Sequence, residues 1–229
     1  AVLGDRIRMQ SHALDPGVFI RSMATRGSQG GLARAPGDVV KLLDASGKEW
    51  VLVETVGVGQ TELDIIRQAD TIVVVLVPES GDSVQTMKAG LMEVADIFAV
   101  NKADRDGATS LVTEITFTVH LHHASPALAR EIDWEIPVLA IQAQHGIGIE
   151  ELLAEIRRHR AALETSGALA GRRQARRRAE LKAILAEEFS RQMSRRLEPE
   201  GDLAETMERV VAGELDPYSA VAGILGRLD

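Results

Sequence analysis

The sequence contains no cysteine, which excludes thiol catalysis, cysteine-zinc sites and a disulfide framework. Aromatic residues are scarce, with four Phe, two Trp and one Tyr among 229 residues. This scarcity argues against a nucleic-acid platform built on base stacking, and it requires a core of Val, Ile, Leu and Ala. The formal net charge of −8 argues against general binding to nucleic acid or to an anionic membrane.

Long apolar runs are also absent, since none approaches the ~20 residues needed to span a bilayer. The first residues, Ala1–Arg6, lack the charged-then-apolar layout of a signal peptide, so we expect a cytoplasmic location. Hydrophobic residues make up 45% of the chain and charged residues 26%, which is the composition of a globular protein. The length allows one ordinary domain, alone or with a helical extension.

Four short apolar runs predict buried strands: Trp50–Val53, Thr71–Val77, Ile97–Val100 and Pro137–Ile141. Continuous runs of Val, Ile and Leu, without alternation, are typical of strands covered on both faces. Helical patterns follow three of the runs, over residues 63–69, 82–94 and 149–156. Because strand and helix alternate along the chain, we predict an α/β fold with a mostly parallel sheet.

The chain after residue 160 carries no strand signal. Two apolar stripes, over residues 181–197 and 203–215, predict amphipathic helices, and Asp216-Pro217 predicts the start of a last short helix. We assign residues 1–160 to the α/β domain and residues 161–229 to an all-helical C-terminal extension. The apolar faces of these helices need a covering surface, either from the same chain or from a second copy in a dimer.

The most specific chemical signal is Asn101-Lys102-Ala103-Asp104, directly after the predicted strand Ile97–Val100. Doubly wound sheets bind ligands at the carboxyl ends of their strands. The Asp104 carboxylate can accept hydrogen bonds from the N1–H and N2–H₂ groups of guanine, a donor pair that adenine lacks. Asn101 can reach the N7 side of the base, and the stem of Lys102 can lie along the ring. The alternative is a plain polar turn at a strand end.

The second signal is the segment Glu54–Gln60, directly after the predicted strand Trp50–Val53. An acidic side chain such as Glu54 can hold Mg²⁺ or its water, and the N–H of Gly57 can approach a γ-phosphate closely. Loops held by a γ-phosphate and released on hydrolysis are a common switch. A glycine-rich turn is the alternative, but the order and spacing of the two signals fit a GTPase.

Together these residues resemble the methylmalonyl-CoA mutase-associated GTPases, also described as ArgK-like or lysine/arginine/ornithine transport-system ATPases. The resemblance covers essentially the whole chain and rests on six segments: Gly4–Met9, Gly27–Gly31, Glu54–Gln60, Pro78–Gly90, Asn101–Asp104 and Asp216–Ala220. It implies a P-loop GTPase-type domain that uses GTP/GDP and Mg²⁺. It also implies a chaperone that gates cofactor loading and protection of an adenosylcobalamin-dependent acyl-CoA mutase.

The resemblance also implies roles for single residues. Asp5 and Glu54 would serve the magnesium site, Gly57 would meet the γ-phosphate, and Gln60 would lie in the same switch. Lys88 would lie in a switch segment that senses the partner enzyme. Glu54, Gln60 and Lys88 are therefore the candidate catalytic residues.

By the same resemblance, Asn101, Lys102 and Asp104 hold guanine, and the helical tail makes a homodimer. The loop after Pro137–Ile141 begins with Gln142-Ala143, where guanine sites commonly carry Ser-Ala. Gln142 is therefore a candidate that would present its backbone to the base.

One departure from the family pattern is large, because these 229 residues contain no G-x-x-x-x-G-K-[ST] phosphate loop. The resemblance puts that loop upstream of Gly4-Asp5. We therefore expect a GTPase domain without its N-terminal part, and weak binding of GTP by the chain as written. The alternative is a nucleotide-incompetent truncated paralogue or fragment that acts as a dimerising interaction scaffold.

Other polar clusters receive simpler interpretations. His120, His122 and His123 could hold a metal, but a solvated helix surface is favoured, and His159 is placed on the polar side of its helix. The absence of cysteine and of a dense histidine tract argues against a nickel metallochaperone. The arginine run Arg172–Arg178 indicates a solvated helix face or a contact with an acidic partner rather than nucleic acid.

Overall fold

The computed structural model describes residues 9–12, 14–23, 34–55, 68–78, 92–123 and 132–226, without the side chains of residues 34–36, 122 and 123. The strands in these ranges are β1 Val73–Leu76, β2 Ile97–Val100 and β3 Val138–Ala140. The α-helices are α1 Arg34–Ala45, α2 Met92–Val94, α3 Ala108–His123, α4 Ile149–Ser166, α5 Ala168–Leu197, α6 Ala204–Val211 and α7 Pro217–Leu225. Short 3-10 helices cover Gln10–His12 and Ala143–His145.

The three strands form one parallel sheet in the order β1-β2-β3. Val73 pairs with Ile97, and Phe98 pairs with Val138, so β2 lies in the centre. The predicted α/β fold with a parallel sheet is confirmed, as are three of the four predicted strands within a residue or two of their bounds.

The fourth predicted strand, Trp50–Val53, is wrong. Residues 50–55 carry no regular structure, and the side chain of Leu52 is 88% exposed. A strand exists only where a neighbour accepts its backbone hydrogen bonds. Across the part of the chain that the structure describes, the ladders join only β1, β2 and β3, so this segment has no neighbour to cover its apolar side chains.

The core is built around β2, whose four residues are all buried. Helix α3 contacts β2 and β3, and α4 contacts β2. Phe98 of β2, Ile115 of α3 and Leu163 of α4 belong to one apolar cluster. Burying a side chain of this size stabilises the fold by about 1.5–3 kcal/mol. The cluster therefore fixes the sheet and, with it, the position of the loops at the ends of its strands.

Several helix predictions can be compared with the structure. Helix α4 begins at Ile149 as predicted, and α7 begins at Pro217, with Asp216 as its N-cap. The Asp216 carboxylate accepts hydrogen bonds from the backbone N–H groups of Tyr218 and Ser219, each at 3.0 Å. Most of the helix predicted over residues 63–69 and most of that over 82–94 lie outside the described residues; residues 68 and 69 are described and are not helical, whereas residues 92–94 are.

The chain divides into two compact units, Ala1–Arg176 and Arg177–Asp229, and the division lies within α5. The domain boundary after residue 160 and the helical extension as a separate domain stay predictions. In the second unit, Arg196 pairs with Asp202 at 2.6 Å and Leu203 is buried. Among the described residues, no helix combines the length and the apolar character that a membrane span requires.

Candidate functional site

The loops after β2 and β3 meet at the carboxyl edge of the sheet. The parallel ladder continues past both strands, because the backbone N–H of Asn101 donates to Leu76 O at 2.8 Å and that of Ala103 donates to Ile141 O at 3.0 Å. The residues Asn101–Asp104 and the loop that begins at Gln142 are therefore fixed side by side. This is the edge where open α/β sheets bind their ligands.

The side chain of Asn101 joins these two loops directly. Its Oδ1 accepts one hydrogen bond from the N–H of Lys102 at 2.8 Å and another from the N–H of Ala143 at 3.0 Å. Because the oxygen is used in this way, the amide Nδ2 is the group that Asn101 presents as a donor. A donor is what the N7 acceptor of a purine requires.

The backbone at Lys102 adopts a left-handed conformation, with φ of +57°. Such a conformation costs a non-glycine residue about 1–3 kcal/mol and is concentrated at functional sites. The hydrogen bond from its N–H to Asn101 and the one from the N–H of Arg105 to Lys102 O, at 3.0 Å, hold the turn. Asp104, two residues further on, is exposed at the same edge.

The loop after β3 closes on itself through Gln142. Its N–H donates to Ile147 O at 2.9 Å, and its carbonyl accepts from Ile147 N at 3.2 Å and from His145 N at 3.0 Å. Both backbone groups therefore make hydrogen bonds inside the loop. Gln142 as a residue that presents its backbone to the base stays a prediction.

Gly148 sets the start of α4 beneath this loop. Its φ is +77°, and a Cβ at this position would lie 2.8 Å from Ala140 O and 2.9 Å from Ile141 Cγ2. Both the conformation and the close approach therefore require glycine. The sequence could have indicated this, because Gly146 and Gly148 flank a single residue just before a helical pattern.

Of the other predicted site residues, the structure describes Glu54, which is exposed in the irregular segment 50–55. Asp5, Gly57, Gln60 and Lys88 lie outside the described residues. The switch and magnesium residues therefore stay predictions.

A magnesium site is not complete among the described residues. The Glu54 carboxylate is the kind of oxygen ligand that Mg²⁺ prefers. However, the described ranges contain no group of three His, Asp or Glu side chains that could hold a metal ion. His120 is exposed on α3, with its Nδ1 2.7 Å from Thr116 O, as expected for a solvated helix surface.

The opposite, amino edge of the sheet contains a polar cluster that the sequence analysis missed. The placement of His159 on the polar side of its helix is wrong, because its side chain is 0% exposed. Its Nδ1 lies 2.9 Å from Thr71 Oγ1, its Nε2 lies 3.3 Å from Asp96 Oδ1, and its ring packs 4.8 Å from that of Trp134. The sequence contained a signal for the burial of His159, because Leu152, His159 and Leu163 have the spacing of residues on one face of a helix.

Asp96 connects the beginnings of the strands at this edge. Its Oδ2 accepts from the N–H of Ile72 at 2.9 Å, and its backbone oxygen accepts from Trp134 Nε1 at 2.8 Å. These two oxygens of Asp96 thus have hydrogen-bond partners inside the protein, as burial demands, whereas His159 Nε2 makes no hydrogen bond and only lies close to Asp96 Oδ1. We interpret this cluster as structural.

The arginine run also has partners within the chain. Arg173 Nη2 lies 2.6 Å from Asp70 Oδ2, Arg176 pairs with the same carboxylate, and Arg172 Nη1 donates to Asp70 O at 3.3 Å. A fully solvated helix face is therefore wrong for these three arginines. The acidic partner is Asp70 of the same chain, which lies in the short segment before β1.

Comparison with known proteins agrees with this geometry. Residues 1–198 match the family model described as methylmalonyl Co-A mutase-associated GTPase MeaB. The chain is 53% identical over 186 residues to a putative GTPase of Pyrococcus horikoshii, covering 81% of this chain and 58% of that protein. It is 35% identical over 176 residues to GTPase ArgK of Escherichia coli, covering 76% and 52%.

A more distant relative is the mitochondrial methylmalonic aciduria type A homolog of Mus musculus, 31% identical over 188 residues, with 82% of this chain and 45% of that protein covered. The crystal structure of an LAO/AO transport system kinase is similar to this chain with a TM-score of 0.62 and 28% identity, over 86% of this chain and 63% of that one. The predicted P-loop GTPase-type fold is thereby confirmed. The chain spans about half the length of the curated relatives that it matches.

Proposed function

Because this chain belongs to the family of methylmalonyl-CoA mutase-associated GTPases, we propose that it forms the base-reading part of an enzyme that hydrolyses GTP to GDP and phosphate. One observation carries the proposal: Asn101 Oδ1 binds the N–H of Ala143 at 3.0 Å and so joins the two loops at the carboxyl edge of the sheet. Such a bond holds two loops together at the place where this class of sheet binds ligands, and in our proposal these loops form two walls of one pocket.

Within this pocket we assign guanine recognition to three residues. Asp104 accepts from the N1–H and N2–H₂ groups of guanine, and Asn101 Nδ2 donates to N7. The stem of Lys102 covers one face of the ring. Adenine offers an acceptor at N1 and no amino group at C2, so the Asp104 carboxylate would meet an acceptor instead of two donors and would reject it.

The phosphate side of the reaction rests on the remaining predicted residues. When bound, Mg²⁺ neutralises charge on the phosphates during phosphoryl transfer. Asp5 and Glu54 would hold it through their carboxylates, and the N–H of Gly57 would donate to the γ-phosphate. Gln60 and Lys88 would act in the switch segments.

We further propose that GTP turnover controls a chaperone's grip on an adenosylcobalamin-dependent acyl-CoA mutase. The family description, which names association with methylmalonyl-CoA mutase, supports this partner. The predicted homodimer is supported by exposed apolar side chains that repeat every four residues on α5, at Leu181, Leu185 and Phe189. The cytoplasmic location and the lack of nucleic-acid and membrane partners stay predictions.

A second candidate function depends on whether the complete open reading frame encodes a phosphate loop. The 229 residues contain no G-x-x-x-x-G-K-[ST], whose backbone N–H groups would supply much of the binding free energy at the phosphates. A chain that functions without this loop would be a nucleotide-incompetent scaffold that dimerises and binds a partner protein.

Fluorescent GDP, GTP and ADP, titrated separately against the 229-residue chain and against the product of the complete open reading frame, test both candidates. We expect guanine-selective binding by the complete product, lost in Asp104→Ala and kept in the matched control Asp106→Ala, whose side chain is exposed in the same loop. Equal affinity for ADP and GDP would contradict the base-reading assignment. Absence of any nucleotide binding by the complete product would favour the scaffold.

A further inference from the structure

The beginning of α5 is held to the sheet mainly by charges. The helix contains no buried residue, and only its first two residues, Ala168 and Leu169, pack against the apolar core. Gly171 faces open space, since nothing lies within 4 Å of the position of a Cβ there. The next contacts with the sheet are those of Arg172, Arg173 and Arg176.

These three arginines converge on the short segment that precedes β1. Arg173 binds the Asp70 carboxylate through two nitrogens, with Nη2 2.6 Å from Oδ2 and Nε 3.4 Å from Oδ1. Arg176 pairs with Asp70 Oδ1 and donates to Gln68 O, and Arg172 Nη1 donates to Asp70 O at 3.3 Å. Arginine forks that meet a carboxylate in this way are among the strong hydrogen-bonded ion pairs.

A glycine with a left-handed backbone lies between the two helices, five residues before Arg172. Gly167 separates α4 from α5 with φ of +77°, and a Cβ there would also meet nothing within 4 Å. Hinges are a few positions at the ends of elements that absorb changes in φ and ψ. The order along the chain is therefore a glycine between two helices, a small apolar contact and a charged contact.

We propose that Asp70 and the three arginines form a releasable electrostatic latch, which holds the first turns of α5 on the amino edge of the sheet. When the Asp70 charge is removed or screened, these turns leave the edge by motion at Gly167, while the sheet stays folded. We expect the sheet to stay folded without the latch, because β2 is buried along its whole length and α5 contributes no buried residue to the apolar cluster. This proposal is independent of the GTPase assignment.

Other charged groups surround the latch. Asp44 of α1 and Glu164 of α4 lie near enough to Arg173 to favour its charged form. Asp96 Oδ1 lies 3.7 Å from Arg172 Nη2 and 3.3 Å from His159 Nε2. Burial alone would raise the pKa of Asp70, but the hydrogen bonds from Arg173 and Arg176 outweigh it and hold that pKa below its ordinary value. The carboxylate is thus kept charged, as the latch requires.

Hydrogen–deuterium exchange of the full chain, followed by mass spectrometry, tests the latch. In Asp70→Asn we expect the amides of residues 168–177 to exchange about tenfold faster, because a half-buried bidentate ion pair is lost. The amides of β2 should exchange as in the wild type. The matched control Asp133→Asn removes an exposed charge outside the latch and should change neither region.

Two further measurements keep the test decisive if Asp70→Asn is poorly folded. The variant Arg173→Gln/Arg176→Gln should show the same local increase, and wild-type exchange over 168–177 should rise in 1 M NaCl, where the screening length is about 3 Å. Unchanged exchange over 168–177 in every arm would overturn the proposal. An equal increase in β2 would also overturn it, because the contact would then support the whole fold.

Discussion

The two edges of the sheet carry similar polar residues in different environments. At the amino edge, Asp96 and His159 are buried, and each is paired within the protein. At the carboxyl edge, Asn101 is only partly buried, and Asp104 is exposed beyond a strained turn at Lys102. At the amino edge, the polar side chains connect strands and helices within the protein. At the carboxyl edge, polar side chains reach solvent, where they can contact a ligand.

This contrast predicts different consequences of mutation. Changes at the amino edge should reduce the free energy of unfolding without altering ligand selectivity. Changes at the carboxyl edge should alter ligand binding more than stability. The following experiments test whether mutations at the two edges differ in this way.

The largest effect is expected for Asp96→Ala. The change leaves the N–H of Ile72 without its carboxylate and leaves His159 buried beside a cavity. Leaving a buried hydrogen-bonding group without its partner costs about 1–3 kcal/mol, and the Asp96 carboxylate has several partners. Urea unfolding followed by circular dichroism measures this loss. The control is Asp133→Ala, because Asp133 is exposed and lies next to Trp134 in the sequence. A loss below 1 kcal/mol would mean that the cluster is not structural.

A second effect compares two glycines of the carboxyl-edge loop. Gly146 and Gly148 both have positive φ, but only at Gly148 would a Cβ collide with neighbouring atoms. Gly146→Ala should therefore cost about 1–2 kcal/mol from backbone conformation alone. Gly148→Ala should cost more, because Ala140 O is backbone and cannot move away easily. Equal losses in urea unfolding would show that the close approach has no energetic consequence.

The third expected effect, that of Asn101→Ala, is small for the free energy of unfolding and large for nucleotide binding. Asn101→Ala removes the hydrogen bond to Ala143, which should cost about 1 kcal/mol of folding free energy. The same change should abolish guanine selectivity in the product of the complete open reading frame, because the side chain of residue 101 no longer holds the loop at Ala143 in place. Gln144→Ala, an exposed change in the same loop, is the control. Loss of selectivity in both variants would argue against a specific role for Asn101.

The smallest expected effect is the loss of a stability contribution from Asp70 at acidic pH. The pKa of Asp70 lies below its ordinary value of 3.8, so its contribution to stability is present above that value and is lost as the pH falls through the lower folded-state pKa. The difference in unfolding free energy between wild type and Asp70→Asn should therefore be constant at neutral pH and shrink below pH 3.8. A difference that does not depend on pH would contradict the charged contact.

Local patterns in the sequence were sufficient for much of this structure. Continuous apolar runs predicted β1, β2 and β3, and the Asp216-Pro217 cap predicted the start of α7. These features depend on neighbouring residues only. The placement of Asn101–Asp104 at a strand end was predictable for the same reason.

What the sequence analysis missed depends on partners that are distant in the chain. Trp50–Val53 has the composition of a strand, but pairing requires a neighbour that a local pattern cannot supply. His159 is polar, and its burial follows from Asp96 and Thr71, which precede it by many residues. The hydrogen bond from Ala143 to Asn101 likewise joins residues 42 positions apart.

The central claim is that the Asp104 carboxylate reads the donors of guanine, and a change of base tests it most directly. Xanthine carries a carbonyl oxygen where guanine carries its amino group, so an amide at position 104 would suit xanthine. In the complete gene product, Asp104→Asn should therefore lose affinity for fluorescent GDP and gain affinity for fluorescent XDP. Binding of GDP that is unchanged in Asp104→Asn would contradict the account.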